Sequence, residues 1–374
     1  MKLIKTQDAV GHVLCHDLTQ IIKDEYKDAR FRKGRVVTAE DIPVLLSMGK
    51  ENLYIYEMTP GMMHENDAAE CLLALCANDN MTRTEVKEGK IELKAACDGL
   101  FRVKSEKLLA VNSQEDIMIA TRKGNTPVRK GDKLAGMRVI PLIIEEEKLQ
   151  MAEQAAGDEP LLELLPYTKK TACIVTTGNE VKKGVIQDTF TPVVIDKLKA
   201  YGIETIATVQ SGDGVENVRD AVLAMREKAP DMILCTGGMS VDPDDNTPGG
   251  IRASGARIVC YGAPVLPGAM FLLGYFEDGM PMMGLPGCVM YASATIFDLV
   301  LPRIAAGVPV TRADVVALGE GGLCLGCREC HYPICPFGKG SFMYPTGYMI
   351  LKTVILTKEL RYDKIETSRK ENPR

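Results

Sequence analysis

The chain has 374 residues, of which 46% are hydrophobic and 25% charged, a balance typical of soluble globular protein and a length that allows two or three domains. Its formal charge is −5 and it has no long basic stripe, which argues against nucleic acid as a partner. No apolar run reaches membrane-spanning length and the N-terminus has no apolar export segment, so we expect a cytoplasmic protein without a membrane partner.

The first 166 residues predict an α+β region rich in short strands. In chain order we expect a strand at 31–37, a helix at 38–49, a strand at 53–56 and a helix at 67–77. Thr38 is expected to cap the first helix, with Asp41 as the acidic half of a capping box. Short β segments separated by glycines between residues 84 and 145 predict a small barrel or sandwich, and a charged helix follows at 145–156. We place the main domain boundary near Tyr167.

Strands and helices alternate regularly from Thr171 onward. Strands are expected at 172–176, 203–209 and 232–235, and helices at 191–201 and 215–228. This alternation predicts a mainly parallel sheet with helices on both faces, and the wholly apolar third strand should be buried on both sides. Thr247 and Pro248 are expected to cap and open the next helix. Ligands of such sheets bind beyond the carboxyl ends of the strands.

The loops after these three strands carry glycines and acidic residues. The first loop runs from Thr176 to Asp188, the second covers Ser211–Gly214, and the third contains Gly237, Gly238, Asp242, Asp244 and Asp245. Glycine N–H groups can contact an anion with no Cβ in the way. A cluster of acids beside such an anion site requires a bridging hard cation, so the sequence predicts Mg²⁺ here.

Five motifs in this region resemble those of the molybdopterin-binding domain of molybdenum-cofactor biosynthesis proteins. They are T-T-G-N-E-V from Thr176, G-V-I-Q-D from Gly184, T-G-G-M-S-V-D-P-D-D-N-T-P from Thr236, V-L-P-G from Val265 and G-L-P-G from Gly284. They occur in the family's order over residues 171–306. The resemblance implies a three-layer α/β sandwich whose loops hold molybdopterin or its adenylylated form.

The resemblance also implies which residues line the site. It implies that Thr177, Gly178, Glu180, Gly237, Gly238 and Ser240 bind the ligand. It also implies that Asp188, Asp213 and Asp245 are catalytic. In the molybdenumtransferase branch the adenylylated pterin is cleaved as molybdate is inserted, so the pterin and molybdate are the expected partners. A homo-oligomer stays open.

Two other functions remain open because the chain departs from the transferase pattern. Asp242 stands where that branch usually has Gly, and Cys288-Val289 stands where it has Asn-Pro. One alternative is a non-catalytic pterin sensor or carrier coupled to an iron–sulfur cluster. The other is a nucleotide pyrophosphatase, because the run from Asp244 to Thr247 also resembles competence/damage-inducible proteins.

A cysteine window lies C-terminal to these motifs. Cys324, Cys327, Cys330 and Cys335 follow the pattern C-x₂-C-x₂-C-x₄-C-P, which is similar to bacterial ferredoxin runs. We therefore expect a [4Fe–4S] cluster, with Zn²⁺ bound by four thiolates as the alternative.

Cys288 is the other notable cysteine, because it lies at a predicted helix start, where the helix dipole favours a thiolate. Beyond the window, residues 348–356 are strand-like and 368–374 are charged. The predicted division of the chain is a region 1–166, a molybdopterin-binding domain 167–310 and a cysteine-rich segment 311–374.

Overall fold

The computed structural model describes residues 2–22, 26–55, 60–185, 187–240, 242 and 245–340. The strands are β1 (Lys2–Lys5), β2 (Leu18–Ile22), β3 (Tyr26–Phe31), β4 (Asn52–Ile55), β5 (Met62–His64), β6 (Met81–Arg83), β7 (Ile91–Ala95), β8 (Gly99–Val103), β9 (Ile117–Thr121), β10 (Thr126–Val128), β11 (Lys133–Val139), β12 (Ile143–Glu145), β13 (Leu162–Pro166), β14 (Thr171–Thr177), β15 (Glu204–Ser211), β16 (Met232–Thr236), β17 (Arg257–Tyr261), β18 (Leu272–Tyr275) and β19 (Pro281–Leu285). The α-helices are α1 (Asp41–Ser47), α2 (Glu65–Cys76), α3 (Ser105–Asn112), α4 (Glu146–Ala156), α5 (Asn179–Lys182), α6 (Phe190–Lys199), α7 (Val215–Arg226), α8 (Thr247–Ala253), α9 (Ile296–Ala305) and α10 (Arg312–Val316).

The chain divides into two compact units. The first comprises Met1–Lys170, Leu198–Glu204 and Val300–Pro309, and the second comprises Thr171–Lys197, Thr205–Leu299 and Val310–Arg374. The three-part division expected from sequence stays a prediction. No helix in the part of the chain that the structure describes is long and apolar enough to cross a bilayer. The expectations for residues 348–356 and 368–374 fall outside the described residues.

The first unit is built from antiparallel sheets and the helices α2, α3 and α4. A four-stranded sheet has the order β6-β7-β11-β9, and a three-stranded sheet has the order β10-β8-β13. Alternate residues of β7, Ile91, Leu93 and Ala95, are buried in one cluster with the inner faces of α2 and α4. The β-rich character is confirmed, but the expectation of only β segments between 84 and 145 is wrong. Ser105–Asn112 forms α3, which packs against α4 and buries Val111.

The first helix begins later than predicted because Thr38 does not cap it. The side chain of Asp41, the first residue of α1, accepts a hydrogen bond from the Thr38 N–H at 3.0 Å, as expected of the acidic half of a capping box. The same carboxylate is 2.9 Å from the Arg35 guanidinium, and this ion pair and the accepted hydrogen bonds hold the pKa of Asp41 below its usual value.

The second unit contains a six-stranded sheet of order β15-β14-β16-β19-β18-β17. β14, β16 and β19 are parallel neighbours, whereas β18 and β17 complete one side in antiparallel pairing. The predicted α/β class with a mainly parallel sheet is confirmed, and the antiparallel pair is an addition that alternation did not predict. Every residue of β16 is buried, as expected for a central strand covered on both faces. Cys173 and Cys235 pack with Val218 and Val222 of α7 in this core.

Candidate functional site

The carboxyl ends of β14 and β16 form the centre of the candidate site. Thr176 lies beside Thr236 in the parallel register, so Thr177 emerges next to the loop that follows β16. The Thr177 hydroxyl donates to the Thr236 carbonyl oxygen at 3.1 Å and lies 2.9 Å from the Thr247 hydroxyl. All three of these threonines are buried. Thr247 is the first residue of α8, after an N-cap at Asn246, so the helix starts one residue earlier than predicted.

Two consecutive glycines turn the chain immediately after β16. Gly237 has φ +85° and Gly238 has φ +55°, a conformation that favours glycine. A Cβ on Gly237 would lie 2.3 Å from the Thr177 carbonyl oxygen, and one on Gly238 would lie 2.7 Å from the Thr247 hydroxyl. The N–H groups of both glycines donate to no acceptor among the hydrogen bonds of the described residues. Successive free N–H groups in this conformation form a nest suited to an oxyanion.

The Thr236 side chain adds another unused polar atom at the same point. Thr236 is fully buried, and its Oγ1 has no hydrogen-bond partner within the ranges that the structure covers. A buried hydroxyl without a partner costs free energy unless a ligand or water satisfies it. The N–H groups of the glycine nest, by which we mean Gly237 and Gly238, and the Thr236 hydroxyl are therefore unsatisfied donors on three consecutive residues.

Asp188 lies at the start of α6 and acts as its cap. Its Oδ1 accepts from the N–H groups of Phe190 and Thr191, both at 3.0 Å, while its Oδ2 accepts from the hydroxyls of Thr176 and Thr191. Burial acts to raise the pKa of Asp188, but these four hydrogen bonds outweigh it and hold the pKa below its usual value. Both carboxylate oxygens are thus committed to holding α6 against the end of β14.

Asp213 connects the loops that follow β14 and β15. Its carboxylate accepts from the Asn179 N–H at 3.0 Å, at the start of the short helix α5. Gly178 adopts φ +135° and donates its N–H to the Ser211 carbonyl oxygen at 3.1 Å. The N–H of Gly178 is therefore already used, unlike those of the glycine nest, whereas Glu180 in the same loop is exposed.

Asp245 folds the loop after the glycine nest back on itself. Its carboxylate accepts from the Ser240 N–H at 2.9 Å, and its own N–H donates to the Asp242 carbonyl oxygen at 2.9 Å. The Tyr261 hydroxyl donates to the carbonyl oxygen of Met239 at 3.0 Å and holds the other side of the loop. This acidic stretch thus stabilises its own turn, although Asp244 lies outside the described residues.

The expected Mg²⁺ site does not fit this arrangement. The carboxylates of Asp188, Asp213 and Asp245 accept hydrogen bonds from three separate backbone sites, the N–H groups of Phe190, Asn179 and Ser240. No group of three or more His, Cys, Asp or Glu side chains that could hold a metal ion occurs in the described ranges. We therefore assign no chemical step to Mg²⁺, and the catalytic roles of the three aspartates stay predictions from the resemblance.

The cysteine window is attached to the V-L-P-G loop. Leu266 donates its N–H to the Gly322 carbonyl oxygen, and Cys324 donates to the Leu266 carbonyl oxygen, both at 2.8 Å. Farther along, the Tyr332 hydroxyl donates to the Asp298 carbonyl oxygen at 2.6 Å. Cys327 and Cys330 are exposed, whereas Cys324 and Cys335 are half-buried. As with the aspartates, no three of these thiols come together as metal ligands in the residues that the structure describes, so the metal stays a prediction from spacing.

The expected thiolate at Cys288 is not supported. This residue lies in a 3₁₀ turn, Gly287–Met290, that is too short to present a helix dipole. Burial raises the pKa of the Cys288 thiol, with a smaller contribution of the same sign from Asp298. The neutral thiol is therefore favoured, which is the reverse of the prediction.

Sequence reasoning missed the hydroxyl set that holds the site together. Thr176, Thr191 and Thr247 contribute their side chains to it and Thr236 its carbonyl oxygen, yet only Thr177 was singled out as a site residue. Threonine at the end of two adjacent parallel strands and in the first turn of two helices is the signal that could have identified them.

Two family models match the chain. Residues 173–306 match a family described as a probable molybdopterin binding domain, and residues 3–57 match a domain of unknown function. Among curated relatives, the CinA-like protein of Pseudothermotoga lettingae is 33% identical over 78 residues, which cover 21% of this chain and 19% of the relative. The CinA-like protein of Desulfosudis oleivorans is 36% identical over 87 residues, which cover 23% of this chain and 21% of the relative. The chain thus spans about a fifth of the length of these curated relatives.

Two solved structures are similar to this chain. The molybdopterin biosynthesis enzyme MoaB of Thermus thermophilus is 21% identical, with 37% of this chain and 98% of that chain covered at a TM-score of 0.32. A molybdenum cofactor biosynthesis protein of Pyrococcus furiosus is 12% identical, with 83% of this chain and 66% of that chain covered at a TM-score of 0.25. These TM-scores are too low to carry a structural argument. Residues 173–306, which contain the loops just described, are thus similar to the family of probable molybdopterin binding domains.

Proposed function

We propose that residues 173–306 bind molybdopterin or its adenylylated form, and that the protein acts in molybdenum-cofactor biosynthesis by inserting metal from molybdate into the adenylylated pterin. The observation that carries this proposal is the glycine nest with its two unused N–H groups beside the unpartnered Thr236 hydroxyl. These donors lie at the carboxyl ends of parallel strands, where ligands of open α/β sheets bind. The family match over the same residues supports it.

The residues divide into donors and supports in this proposal. Gly237 and Gly238 bind a phosphate oxygen of the ligand through their N–H groups, and Thr236 adds its hydroxyl. Thr177 holds the nest in shape, because its hydroxyl already contacts both Thr236 and Thr247. The exposed Ser240 and Glu180 are assigned to the rest of the ligand.

Binding and turnover are tested by titrating the purified full chain with adenylylated molybdopterin. We expect a dissociation constant in the micromolar range or below, and release of AMP when molybdate is added. Binding without AMP release would instead favour the sensor or carrier. Folded protein that binds neither form of the pterin at micromolar concentration would refute the proposal.

A nucleotide pyrophosphatase is the second candidate. It is favoured by the curated relatives, which are named CinA-like proteins, and by the resemblance of the run Asp244–Thr247 to competence/damage-inducible proteins. This function requires metal-dependent hydrolysis of a free nucleotide such as ADP-ribose. Hydrolysis of ADP-ribose together with failure to bind the pterin would select it over the transferase.

The role of Mg²⁺ can be separated from the loop-holding role of the aspartates. If Asp188 and Asp245 bind Mg²⁺, Asp188→Ala and Asp245→Ala should lose the dependence of ligand binding on Mg²⁺, whereas Thr177→Ala should keep it. If they only hold loops, all three variants should weaken binding equally with and without Mg²⁺. Binding titrations at several Mg²⁺ concentrations measure the difference.

We further propose that Cys324, Cys327, Cys330 and Cys335 hold a [4Fe–4S] cluster, with Zn²⁺ as the alternative. The support is their spacing, the following Pro336 and the exposure of Cys327 and Cys330. Protein purified without oxygen should absorb broadly in the visible, bleach on reduction and contain iron and sulfide. Replacing Cys327 and Cys330 with Ser should abolish the metal, whereas Cys71→Ser in the first unit should not. Near-stoichiometric zinc with negligible iron would end the cluster proposal.

A further inference from the structure

The first unit contains a cavity of about 820 Å³ that none of the motifs above explains. Its lining comes from three parts of the chain: the residues flanking the β2–β3 hairpin, the N-terminus of α2 and the β6–β7 connection. Among its lining residues are His16, Asp17, Lys33, Glu65 and Glu92. A cavity of this size accommodates a small metabolite.

Lys33 is a cation of this lining without a carboxylate partner. Its ammonium hydrogen-bonds to Nδ1 of His64, and no Asp or Glu of the described residues lies within ion-pair distance of it. Burial lowers the pKa of Lys33, although nearby acids, first of all Asp67, act to raise it. A partly buried charge of this kind is stabilised by an anion.

The partner of Lys33 is a neutral imidazole. His64 is fully buried, and its Nε2 lies 3.2 Å from the Cys15 carbonyl oxygen, which can only accept. Nε2 therefore carries the proton, and Nδ1 accepts from the Asn66 N–H at 3.1 Å as well as from Lys33. Burial lowers the pKa of His64, in keeping with a neutral ring. His64 thus orients the Lys33 ammonium without neutralising it.

The acids of the lining do not neutralise Lys33 either. Glu92 pairs with Lys90 at 2.6 Å and with Lys133 at 3.0 Å. Glu65 is buried 3.8 Å from the Arg138 guanidinium, and burial raises the pKa of its carboxyl group. Asp17 accepts from the backbone N–H of Lys33 at 2.7 Å. The remaining acids, Glu85 and Glu88, are exposed to solvent at the rim.

His16 also lines this cavity and carries an unsatisfied ring nitrogen. Nδ1 of His16 is buried and has no hydrogen-bond partner in the part of the chain that the structure describes. Burial lowers the pKa of His16, so its ring is neutral and can carry its one proton on Nδ1. A buried nitrogen without a partner is unusual in a folded protein and is satisfied when a ligand contacts it.

We propose that this cavity binds a small oxyanion, the carboxylate or phosphate group of a metabolite, with the Lys33 ammonium and the His16 imidazole as its donors. The oxyanion supplies the negative charge that Lys33 lacks and the acceptor that His16 lacks. The site lies in the first unit and is separate from the pterin-binding loops of the second. It therefore does not rest on the function proposed for residues 173–306.

The test uses inorganic phosphate and malonate as separate probes of the full chain in a buffer with no other multivalent anion. Calorimetric titration should show saturable binding of one of them or both, and which one binds identifies the phosphate or carboxylate chemistry. The bound anion should slow acetylation of Lys33 by acetic anhydride, read by mass spectrometry, without slowing that of the exposed Lys5.

Variants assign the binding to Lys33. Lys33→Met should weaken anion binding by about tenfold or more, because a charge-assisted hydrogen bond is lost. Lys33→Arg should retain most of it, and Lys5→Met is the matched control. Thermal melting shows whether each variant folds, and the Lys33 acetylation readout does not depend on any variant. The proposal is overturned if neither anion protects Lys33 in the wild-type chain, or if folded Lys33→Met binds as the wild type does.

Discussion

Replacing Gly237 with Ala tests the glycine nest most directly. An alanine at φ +85° costs about 1–2 kcal/mol in backbone conformation alone. Its Cβ would also lie 2.3 Å from the Thr177 carbonyl oxygen, which is backbone and cannot rotate away. Relief of such a contact costs a further 1–3 kcal/mol or so, and the movement displaces the N–H groups of the nest.

Gly279→Ala is the matched control for this variant. Gly279 belongs to the same unit and has φ +82°, but a Cβ there would meet no atom within 4 Å. It should therefore show the conformational cost without the collision.

We expect Gly237→Ala to lower the free energy of unfolding by about 1–3 kcal/mol more than Gly279→Ala does. We also expect it to weaken binding of the adenylylated pterin by about tenfold to a hundredfold, because charge-assisted hydrogen bonds to the phosphate are lost. Urea unfolding and calorimetric titration of both variants provide the two numbers. Equal destabilisation by the two substitutions, or unchanged pterin affinity in Gly237→Ala, would refute the reasoning.

Three further predictions concern the second unit. Asp188→Ala should lower the free energy of unfolding at neutral pH by about 1–2 kcal/mol, the range for a lost helix cap. Hydrogen bonds lower the pKa of Asp188 in the folded state, so its contribution is present above the unfolded-state pKa and is lost as pH falls through the folded-state pKa. Urea titrations should therefore show the variant and the wild type converging in acid. In protein freed of metal, Cys288 should be alkylated by iodoacetamide at pH 8 more slowly than the exposed Cys327, and equal rates by mass spectrometry would contradict the burial that raises its pKa. Lys197→Met should lower the free energy of unfolding in urea by about 3 kcal/mol, because it leaves the carboxylate of Asp298, 2.6 Å away and 11% exposed, without its cation. A loss below about 1 kcal/mol would show that solvent screens the pair.

Hydrophobic pattern was enough to predict the strands and longer helices of the second unit up to α8. The apolar run Met232–Cys235 and the alternation from Thr171 onward led to the buried central strand and the α/β class, because burial on both faces leaves a continuous apolar signal. The antiparallel pair β17 and β18 was not predicted from this pattern, since strand direction depends on the connection between strands rather than on their composition.

Local polar contacts were harder to predict. Thr38 was expected to accept at the start of the helix that follows, with Asp41 as the acidic half of a capping box. Asp41 does accept from the Thr38 N–H, with Arg35 beside it, but the helix begins only at Asp41 and Thr38 does not cap it. Asp188 was assigned a role in catalysis by resemblance. In the structure its carboxylate accepts four hydrogen bonds, and one of them comes from Thr176, which lies at the other end of the loop that leads to Asp188. Such networks depend on three-dimensional geometry that residue types in a row do not specify.

Cys288 shows the same limit for electrostatics. Its position after Pro286 and Gly287 suggested a helix start, but the turn closes after four residues and the side chain is half-buried. Whether a thiol is favoured over a thiolate depends on the length of the helix and on burial, and neither can be obtained from the immediate sequence.

The contacts among Thr177, Thr236 and Thr247 have a consequence for the conditions under which the loops keep their shape. These contacts join hydroxyl and carbonyl groups that carry no formal charge, and all three residues are buried. Dissolved ions screen charged groups but have little influence on short contacts between uncharged ones. Moderate changes in ionic strength should therefore alter the attraction of an anionic ligand to the glycine nest while leaving the nest itself in place.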